Sequence, residues 1–484
     1  MIYDLLIAGG GINGCAIARE ASLLGLSVLL VERDDLASHT SSASSKLIHG
    51  GLRYLETYEF RLVREALHER ERMLAAAPHL IRPMAFVLPQ TNSVRPWWMV
   101  RAGLWLYDLL GGKTSLPRSR GLKPEDTVYT APLSASDSGF VYYDASVDDA
   151  RLTLANAQDA AFNGAEIATR TALVSAHREG DLWHATLSDG RTVTARALVN
   201  AAGPWVRDLL GHLGVNARAG VRLVKGSHIV VPRLYDGDHA YILQQPDRRV
   251  VFAVPYNGAT AIGTTDVPVE KPEDAGIDEH ETAYLVAAAN RFFTEQIAQA
   301  DIISTWSGIR ALYDDGKASA QTVTRDYHLE LDTSGPPLLS VFGGKITTAR
   351  ALAEEALKML GPSLGIEPYA VTPARILPGG GIADFDAFLA QICDRWPFLG
   401  DARSARMAHA YGTRLTEMLS EVSDETGMGR ELGAGLTEVE LHWMHAREWA
   451  RTADDVLWRR SRLGLHPSSD AAAIDAFLVA TPER

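Results

Sequence analysis

A glycine-rich turn near the N-terminus constrains the fold of this chain more than any other feature. An apolar strand leads into three glycines spaced as G-x-G-x-x-G, and a helix, a second apolar strand and an acidic residue follow. In chain order these parts are Leu5–Ala8, Gly9, Gly11, Gly14, Cys15–Ala21, Ser27–Val31 and Glu32. This arrangement is typical of the first βαβ unit of a Rossmann-like fold that binds a dinucleotide.

Each part of this unit has a physical role. Gly9 permits the tight turn, Gly11 lets the backbone approach a pyrophosphate, and Gly14 lets the helix pack closely on the strand. The N-terminus of the helix offers free N–H groups and a positive dipole to the phosphates. Glu32 can accept hydrogen bonds from the ribose hydroxyls, and its charge would repel an additional 2′-phosphate. The unit therefore predicts a bound dinucleotide, and NAD and FAD both satisfy it.

Two later segments follow the same logic. The apolar strand within Ala197–Trp205 ends in Asn-Ala-Ala-Gly, and the strand Leu338–Phe342 ends in a double glycine before a helix. Ligands of open parallel sheets bind at the carboxyl ends of the strands. We therefore expect the turns around Gly203 and Gly344 to lie beside the cofactor.

The composition narrows the class of protein. The chain has 484 residues, of which 46% are hydrophobic and 22% charged, as in a soluble globular enzyme of two or three domains. A net charge of −13 argues against general nucleic-acid binding. Only Cys15 and Cys393 are present, and no H-E-x-x-H or C-x-x-C pattern predicts a metal site. The first strand begins at residue 2, so we expect no signal peptide and a reducing cytoplasm.

The order of elements predicts an α/β fold in three parts. A Rossmann-like nucleotide-binding domain is expected over residues 1–80, 140–220 and 336–378, and an inserted antiparallel-sheet substrate domain over residues 81–139 and 221–335. Helical patterns predict an α-helical C-terminal domain over residues 379–484. Helices are expected at 59–77 and 148–163, and one strand at 166–175.

The segment Arg95–Leu110 allows two interpretations. It contains three tryptophans, a tyrosine and flanking arginines, which is typical of an interfacial helix in a bilayer headgroup region. It also fits a buried helix of the substrate domain, which the residues alone favour. No run of the chain reaches the roughly 18 apolar residues that a membrane span requires.

Four cationic residues lie beside glycine turns or strand ends and not in helical charge runs. They are Arg53, Arg310, Arg325 and Lys345. A guanidinium binds phosphate or carboxylate in a bidentate manner, so two or three of these residues in one pocket predict an anionic substrate. His228 starts a strand after a turn, and its neutral imidazole could accept an alcohol proton; His49 competes for that role.

The residues after the nucleotide unit resemble a known family. Ser41–Glu56 closely resembles the corresponding stretch of FAD-dependent glycerol-3-phosphate dehydrogenases of the aerobic, respiratory bacterial type. Similar later signatures, in order, are Lys225–His228, Gly263–Asp266, Trp306–Arg310, Phe342–Thr348 and Ala453–Arg460. The resemblance spans essentially the whole chain. One departure is Ala311, where the family usually has proline.

The resemblance implies a set of site residues. FAD would be held non-covalently, with the Ser/Thr loop near Ser41–Ser45 under the flavin, by Gly9, Gly11, Ile12, Asn13, Gly14, Glu32, Arg33, Thr40, Ser41, Ser42, Ser45, Lys46, Leu47, His49, Gly50, Ala202, Gly203, Gly344, Lys345, Ile346 and Thr347. The substrate pocket would consist of Arg53, Tyr54, His228, Arg310, Arg325 and Lys345. Of these, the catalytic residues would be His228, Arg310 and Lys345, with His228 as the base and Arg310 with Arg325 as the phosphate ligands.

The resemblance also implies the reaction and its partners. sn-Glycerol 3-phosphate would be oxidised to dihydroxyacetone phosphate by hydride transfer to FAD, and a membrane quinone would take the electrons. The resemblance further implies a cytoplasmic homodimer that binds peripherally to the inner face of the cell membrane. Because such an enzyme needs a membrane-binding surface, the interfacial interpretation of Arg95–Leu110 becomes as favoured as the buried one. Three alternatives stay open: an oxidase of the same substrate that reduces O₂ to H₂O₂, an amine or amino-acid oxidase, and a non-catalytic flavoprotein.

Overall fold

The computed structural model describes residues 2–91, 93–135, 138–215, 220–314 and 327–481. Two β-sheets and a C-terminal helical region make up this part of the chain. The strands are β1 (Ile2–Ala8), β2 (Val28–Val31), β3 (Leu47–Ile48), β4 (Ile81–Pro89), β5 (Arg120–Gly121), β6 (Gly139–Val147), β7 (Glu166–Ala168), β8 (Leu173–Glu179), β9 (Leu182–Leu187), β10 (Thr192–Asn200), β11 (Gly220–Val231), β12 (Ala240–Gln244), β13 (Val250–Tyr256), β14 (Ala259–Gly263), β15 (Val267–Val269), β16 (Ser304–Asp314), β17 (His328–Asp332) and β18 (Leu338–Phe342). The helices are α1 (Ile12–Leu23), α2 (Phe60–Ala76), α3 (Trp97–Gly111), α4 (Thr127–Thr130), α5 (Asp149–Phe162), α6 (Val206–His212), α7 (Glu279–Asn290), α8 (Ala349–Leu364), α9 (Phe385–Arg395), α10 (Gly400–Tyr411), α11 (Leu415–Met418), α12 (Glu438–Glu448) and α13 (Ala471–Ala480).

The first sheet is built on the predicted nucleotide unit. Its order is β17-β18-β10-β1-β2-β7, and the strands from β18 to β7 run parallel. Leu5 and Ile7 pack against α1, α5 and α8 on one face, whereas Leu6 packs against the β8–β9 hairpin and α6 on the other. Burial on both faces explains why β1 is a continuous apolar run. The carboxyl ends of β1, β10 and β18 meet at one edge, as the glycine turns predict.

The second sheet is the predicted antiparallel insertion. Its order is β15-β11-β14-β13-β12-β4-β6-β3, with β16 paired to β11 and β5 to β6. The β4–β12 pair is parallel. The pairing of β11 with β16 sets His228 opposite Trp306 and Val224 opposite Arg310. Strand β6 pairs with β4 in this sheet, although the predicted boundary at residue 140 assigns most of β6 to the nucleotide-binding domain and β4 to the substrate domain. The domain boundaries themselves stay predictions.

One predicted element differs from the structure. The single strand expected at 166–175 is two strands, β7 on the edge of the first sheet and β8 in a hairpin with β9. Arg170, between them, has φ +55, and the Thr171 N–H donates to the carbonyl of Glu32 (2.7 Å). This turn depends on the neighbouring strand, so the local pattern does not reveal it.

Buried ion pairs attach the C-terminal helical region to the first sheet. Asp35, three residues after Glu32, lies 2.6 Å from Arg459 Nε and 2.5 Å from Arg460 Nη1. These arginines belong to a π-helical turn at Asp455–Arg460. Because charges buried in this way are stable only when paired, the contacts fix the turn against the edge where β2 ends.

Candidate active site

A cavity of about 990 Å³ lies between elements of both sheets. Small-molecule sites measure about 300–1,000 Å³, so this one has room for a large cofactor. The predicted site residues that line it are Gly11, Ile12, Asn13, Thr40, Ser41, Ser45, Leu47, His49, Gly50, Arg53, Tyr54, Gly203, His228, Arg310, Gly344, Lys345, Ile346 and Thr347. The fold thus brings together segments that are more than three hundred residues apart.

Glycine is required at three closely packed points beside the cavity. Gly9 has φ +116, and a Cβ there would lie 2.4 Å from the carbonyl oxygen of Ala201. A Cβ on Gly14 would lie 1.9 Å from the carbonyl oxygen of Gly9. Gly344 has φ +96, and its Cβ would lie 2.7 Å from Asn13 Nδ2. These close approaches hold the ends of β1, β10 and β18 around the start of α1.

The N-terminus of α1 fits an anionic ligand. Its first turn has no acidic side chain, and Gly11, Ile12 and Asn13 line the cavity. The Ile12 N–H donates to Ser41 Oγ (2.9 Å), and Asn13 Nδ2 donates to the carbonyl of Gly343 (3.1 Å). Asn13 Oδ1 is buried without a hydrogen-bond partner in the described part of the chain. A helix N-terminus favours phosphate and a buried acceptor needs a donor, so the residues present fit a dinucleotide such as FAD.

Some predicted cofactor residues are absent from the lining of the cavity: Gly9, Gly14, Glu32, Arg33, Ser42, Lys46 and Ala202. Glu32 Oε2 accepts a hydrogen bond from the Gly10 N–H (2.6 Å), and burial raises the pKa of this carboxyl. The Arg33 guanidinium lies 4.1 Å from the ring centroid of Trp205. Lys46 is buried in an ion pair with Asp149. Arg325 lies outside the described residues. The cofactor roles of all these residues stay predictions.

His228 is buried in the cavity wall, and it lies inside β11, not at the start of a strand as predicted, because β11 already begins at Gly220. Its ring stacks on Trp306, with ring centroids 4.8 Å apart and planes at 12°. Its Nε2 lies 3.0 Å from Ser45 Oγ in the Ser/Thr loop. Gly263 on β14 makes room for the ring, because a Cβ there would lie 2.0 Å from His228 Cδ2. The imidazole is therefore fixed on three sides.

The surroundings of His228 set its protonation state. Burial above all, and then the positive charges of Lys46 and Arg310, lower the pKa of His228 to about 3, so the ring is neutral near pH 7. A neutral imidazole carries one proton. Nε2 contacts the Ser45 hydroxyl, which can donate or accept, and Nδ1 is buried with no hydrogen-bond partner among the described residues, so the neutral ring keeps one acceptor nitrogen. A general base for an alcohol requires this state.

Arg310 reaches the same cavity from β16. Its Nη2 donates to the carbonyl of Thr265 (3.1 Å), and its Nη1 lies 3.4 Å from Asp266 Oδ1. Gly226 on β11 leaves space for this guanidinium, because a Cβ there would lie 2.3 Å from Nη2. The contacts fix the orientation of a cation on the cavity wall, as bidentate recognition of phosphate requires.

Arg53, Tyr54 and Lys345 form a second polar group in the wall. The Nζ of Lys345 lies 4.2 Å from the ring centroid of Tyr54, in a cation–π contact. The turn before Arg53 is attached to α3, since the Gly50 N–H donates to the Tyr107 hydroxyl (2.7 Å). With Arg310 on β16, three of the predicted cationic side chains line one cavity, which suits an anionic substrate.

Several polar residues of the wall are not predicted by the sequence: Glu56, Arg95, Gln244, Arg248, Arg249 and Asp266. Arg95 donates from Nη2 to Glu56 (2.9 Å) and from Nη1 to Gln244 (2.8 Å). These three residues are widely separated along the chain, so no local pattern connects them. Glu56 and Asp266 did have one signal in the sequence, because they lie in Ser41–Glu56 and Gly263–Asp266, two segments that resemble the family.

Helix α3 has one buried and one exposed face. Val100, Leu104 and Tyr107 are buried, and the exposed fractions of Trp97, Trp98 and Trp105 are 52%, 69% and 60%. We call these three tryptophans the tryptophan face. The expectation of a buried helix is therefore wrong for this face. Other α3 residues line the cavity, among them Met99, Gly103 and Leu106, so the helix lies between the cavity and the surface.

Profiles of two families match the chain. The one described as "FAD dependent oxidoreductase" matches residues 4–350, and the one described as "C-terminal domain of alpha-glycerophosphate oxidase" matches residues 370–479. The chain belongs to the FAD-dependent oxidoreductase family. It is thus an enzyme of the oxidoreductase class, and the prediction of FAD as its cofactor is confirmed.

Full-length relatives agree with this assignment. A glycerol-3-phosphate dehydrogenase of Pseudomonas aeruginosa is 51% identical over 96% of this chain and 92% of its own length. A D-erythritol 1-phosphate dehydrogenase of Brucella abortus is 48% identical over 96% of this chain and 95% of its own. The solved structure of a glycerol-3-phosphate dehydrogenase from Bacillus halodurans with FAD is similar at a TM-score of 0.73, with 27% identity over 95% of this chain and 86% of that one. The predicted family resemblance and fold class are confirmed.

Proposed function

We propose that this protein oxidises sn-glycerol 3-phosphate to dihydroxyacetone phosphate with FAD and passes the electrons to a membrane quinone. One observation carries the proposal: a single cavity joins the dinucleotide turns to a neutral histidine and three cationic side chains. The phosphate of the substrate requires the cations, and its secondary alcohol requires the base. A non-catalytic flavoprotein would need neither group.

Each side chain has a proposed role. FAD, when bound at the glycine turns, supplies the acceptor for the hydride from C2 of the substrate. His228 takes the hydroxyl proton, while Arg310, with Arg325 as its predicted partner, holds the phosphate. Lys345 and Arg53 add further positive charge to the cavity wall. A phosphate fixed in this way orients C2, and such orientation accelerates reactions by several orders of magnitude.

D-Erythritol 1-phosphate is a second candidate substrate, because a relative of nearly the same identity is a dehydrogenase of that compound. Both molecules are phosphorylated polyols with secondary alcohols. The same base and cations would serve either one, and the erythritol compound is one carbon longer.

Anaerobic reduction of the bound flavin tests the proposed function. We expect sn-glycerol 3-phosphate to bleach the visible flavin absorption within seconds, and glycerol and glycine to leave it unchanged, because neither offers a phosphate to the cations. A larger kcat/KM for D-erythritol 1-phosphate would assign that substrate instead. Bleaching by glycine alone would indicate an amino-acid oxidase and refute the proposal. Peroxide release in place of quinone reduction would identify an oxidase.

We propose that the tryptophan face binds the inner surface of the cell membrane and that the quinone enters the cavity beside α3. Support comes from the exposure of three indoles next to the apolar cavity residues of the same helix. The described residues contain no helix that could span a membrane. We also propose that the protein is a homodimer in the cytoplasm, peripherally attached to the membrane. Sedimentation without vesicles measures the oligomeric state, and sedimentation with vesicles measures the attachment.

Replacement of Trp97, Trp98 and Trp105 by serine is expected to weaken vesicle binding more than about tenfold, because each indole contributes on the order of 2 kcal/mol when it leaves water. Co-sedimentation with phospholipid vesicles measures the change. Reduction of a soluble dye should stay normal. A matched control changes Tyr369 and Val479, which are 68% and 85% exposed elsewhere, to serine. Undiminished binding of the triple variant would show that another surface is the anchor.

A further inference from the structure

Asp149 is a buried carboxylate that binds two parts of the chain remote from each other. It begins α5, is fully buried, and does not line the cavity. From the Ser/Thr loop it accepts hydrogen bonds from Ser44 Oγ (2.6 Å) and the Ser44 N–H (3.2 Å), and it contacts Lys46 Nζ at 3.0 Å. From the C-terminal helical region, Arg462 Nη2 approaches it to 3.1 Å. A buried carboxylate is stable only with such partners, so Asp149 ties the two parts together.

Ser44 and Lys46, the two residues that Asp149 binds here, flank Ser45 in the sequence. The backbone N–H of Lys46 also donates to Ser44 Oγ (2.9 Å), which closes the loop on itself. Ser45 is thereby held with its Oγ 3.0 Å from His228 Nε2. The hydrogen bond between Ser45 and His228 thus depends on the position of these two residues.

The ring that stacks on His228 is attached to the same loop. Trp306 Nε1 donates to the carbonyl of Ser44 (3.2 Å), and the Lys46 ammonium lies 5.1 Å from the Trp306 ring centroid. A displacement of Ser44 and Lys46 would therefore disturb both the hydrogen-bond partner and the stacking partner of His228.

Arg462 is well fixed for this contact. Besides Asp149, its Nη2 lies 3.0 Å from Asp148 Oδ1 and donates to the carbonyl of Val147 (3.3 Å). Its side chain is 17% exposed. It lies two residues after the turn whose Arg459 and Arg460 bind Asp35, so the chain just before it is anchored to the first sheet.

We propose that Arg462 is a positioning residue for the base: through Asp149 it holds Ser44 and Lys46, and with them the hydrogen bond between Ser45 and His228. The inference rests on the proposed function of His228. It gives the C-terminal helical region a part in the chemistry, although no described residue of that region lines the cavity.

Arg462→Ala in the FAD-loaded enzyme tests the proposal. We expect kcat to fall about tenfold or more while KM for the phosphorylated substrate stays within about twofold, because misplacement of a reacting group costs rate and the phosphate ligands are untouched. Millimolar guanidinium should restore much of kcat by refilling the vacated site, and Arg462→Lys should lie between. In the FAD-free protein, amide hydrogen exchange of residues 42–48 should be faster in Arg462→Ala, which is a readout independent of activity.

Matched measurements separate the possible failures. Arg447→Ala removes an arginine of the same region whose side chain is 54% exposed, and it should change none of these quantities. Unchanged kcat and unchanged exchange in Arg462→Ala would overturn the inference. A fall in kcat that guanidinium does not restore, together with a lowered Tm, would also overturn it, because a general folding defect would then explain the fall. A wild-type enzyme that oxidises no polyol phosphate would refute the proposed function instead.

Discussion

A single methyl group at Gly14 is expected to abolish FAD binding. In Gly14→Ala the new carbon would lie 1.9 Å from the carbonyl oxygen of Gly9, so α1 must move away from the end of β1. Its N-terminal N–H groups would then no longer meet the phosphates. Hydrogen bonds to charged groups contribute about 1.5–3 kcal/mol each, so the loss of two or more raises the Kd of FAD more than about a hundredfold. The flavin absorption that remains after gel filtration measures this effect.

Two other alanine substitutions separate cofactor loss from misfolding. In Gly11→Ala the new carbon meets, among the described residues, only Ser41 Oγ at 3.0 Å, so the fold should persist while the methyl intrudes on the pyrophosphate. We expect an intermediate Kd. Gly211→Ala places the same change on α6, where no atom of the described residues lies within 4 Å, and it should bind FAD normally with a slightly higher Tm. A fully yellow Gly14→Ala protein would contradict the location of the FAD site.

The nucleotide unit could be predicted because its determinants are consecutive. The apolar run of β1, the glycine spacing and the pattern of α1 each act over a few residues, and both faces of β1 are buried as that run indicates. The division at Arg170 could not be predicted, because the turn is held by a hydrogen bond to the strand that ends at Glu32. The two faces of α3 likewise depend on which neighbours cover it, and periodicity alone does not reveal them.

The candidate site shows the same division between local and distant determinants. Family similarity names His228 and Ser45, and the structure places them in contact although they lie 183 residues apart. Lys46 is predicted as a cofactor ligand, yet its ammonium is buried against Asp149. No pattern around Asp149 distinguishes it from an ordinary acidic residue at a helix start. Its importance follows from burial and from partners that only the tertiary fold supplies.

Removal of the imidazole in His228→Ala is expected to lower kcat by about 10²- to 10⁴-fold, the usual contribution of a general base. The FAD turns and the phosphate ligands stay in place, so FAD occupancy and KM should change little. His228→Gln can still bond to Ser45 but cannot take a proton, and we expect the same loss of kcat. Anaerobic flavin reduction in a stopped-flow instrument isolates this step from electron transfer to the quinone.

The pattern of kinetic constants, more than the size of the loss, decides between a base and a packing residue. His239→Gln is the matched control: this ring is equally buried, and burial lowers its pKa to about 4, but it does not line the cavity. It should lower Tm without a selective loss of kcat.

Arg310→Ala should show the opposite split, with KM for the phosphorylated substrate raised at least about tenfold, since a charged hydrogen bond is lost in the ground state as well. Near-normal turnover of FAD-loaded His228→Ala would mean that another group is the base. His49, which lines the same cavity, would then be the next residue to substitute.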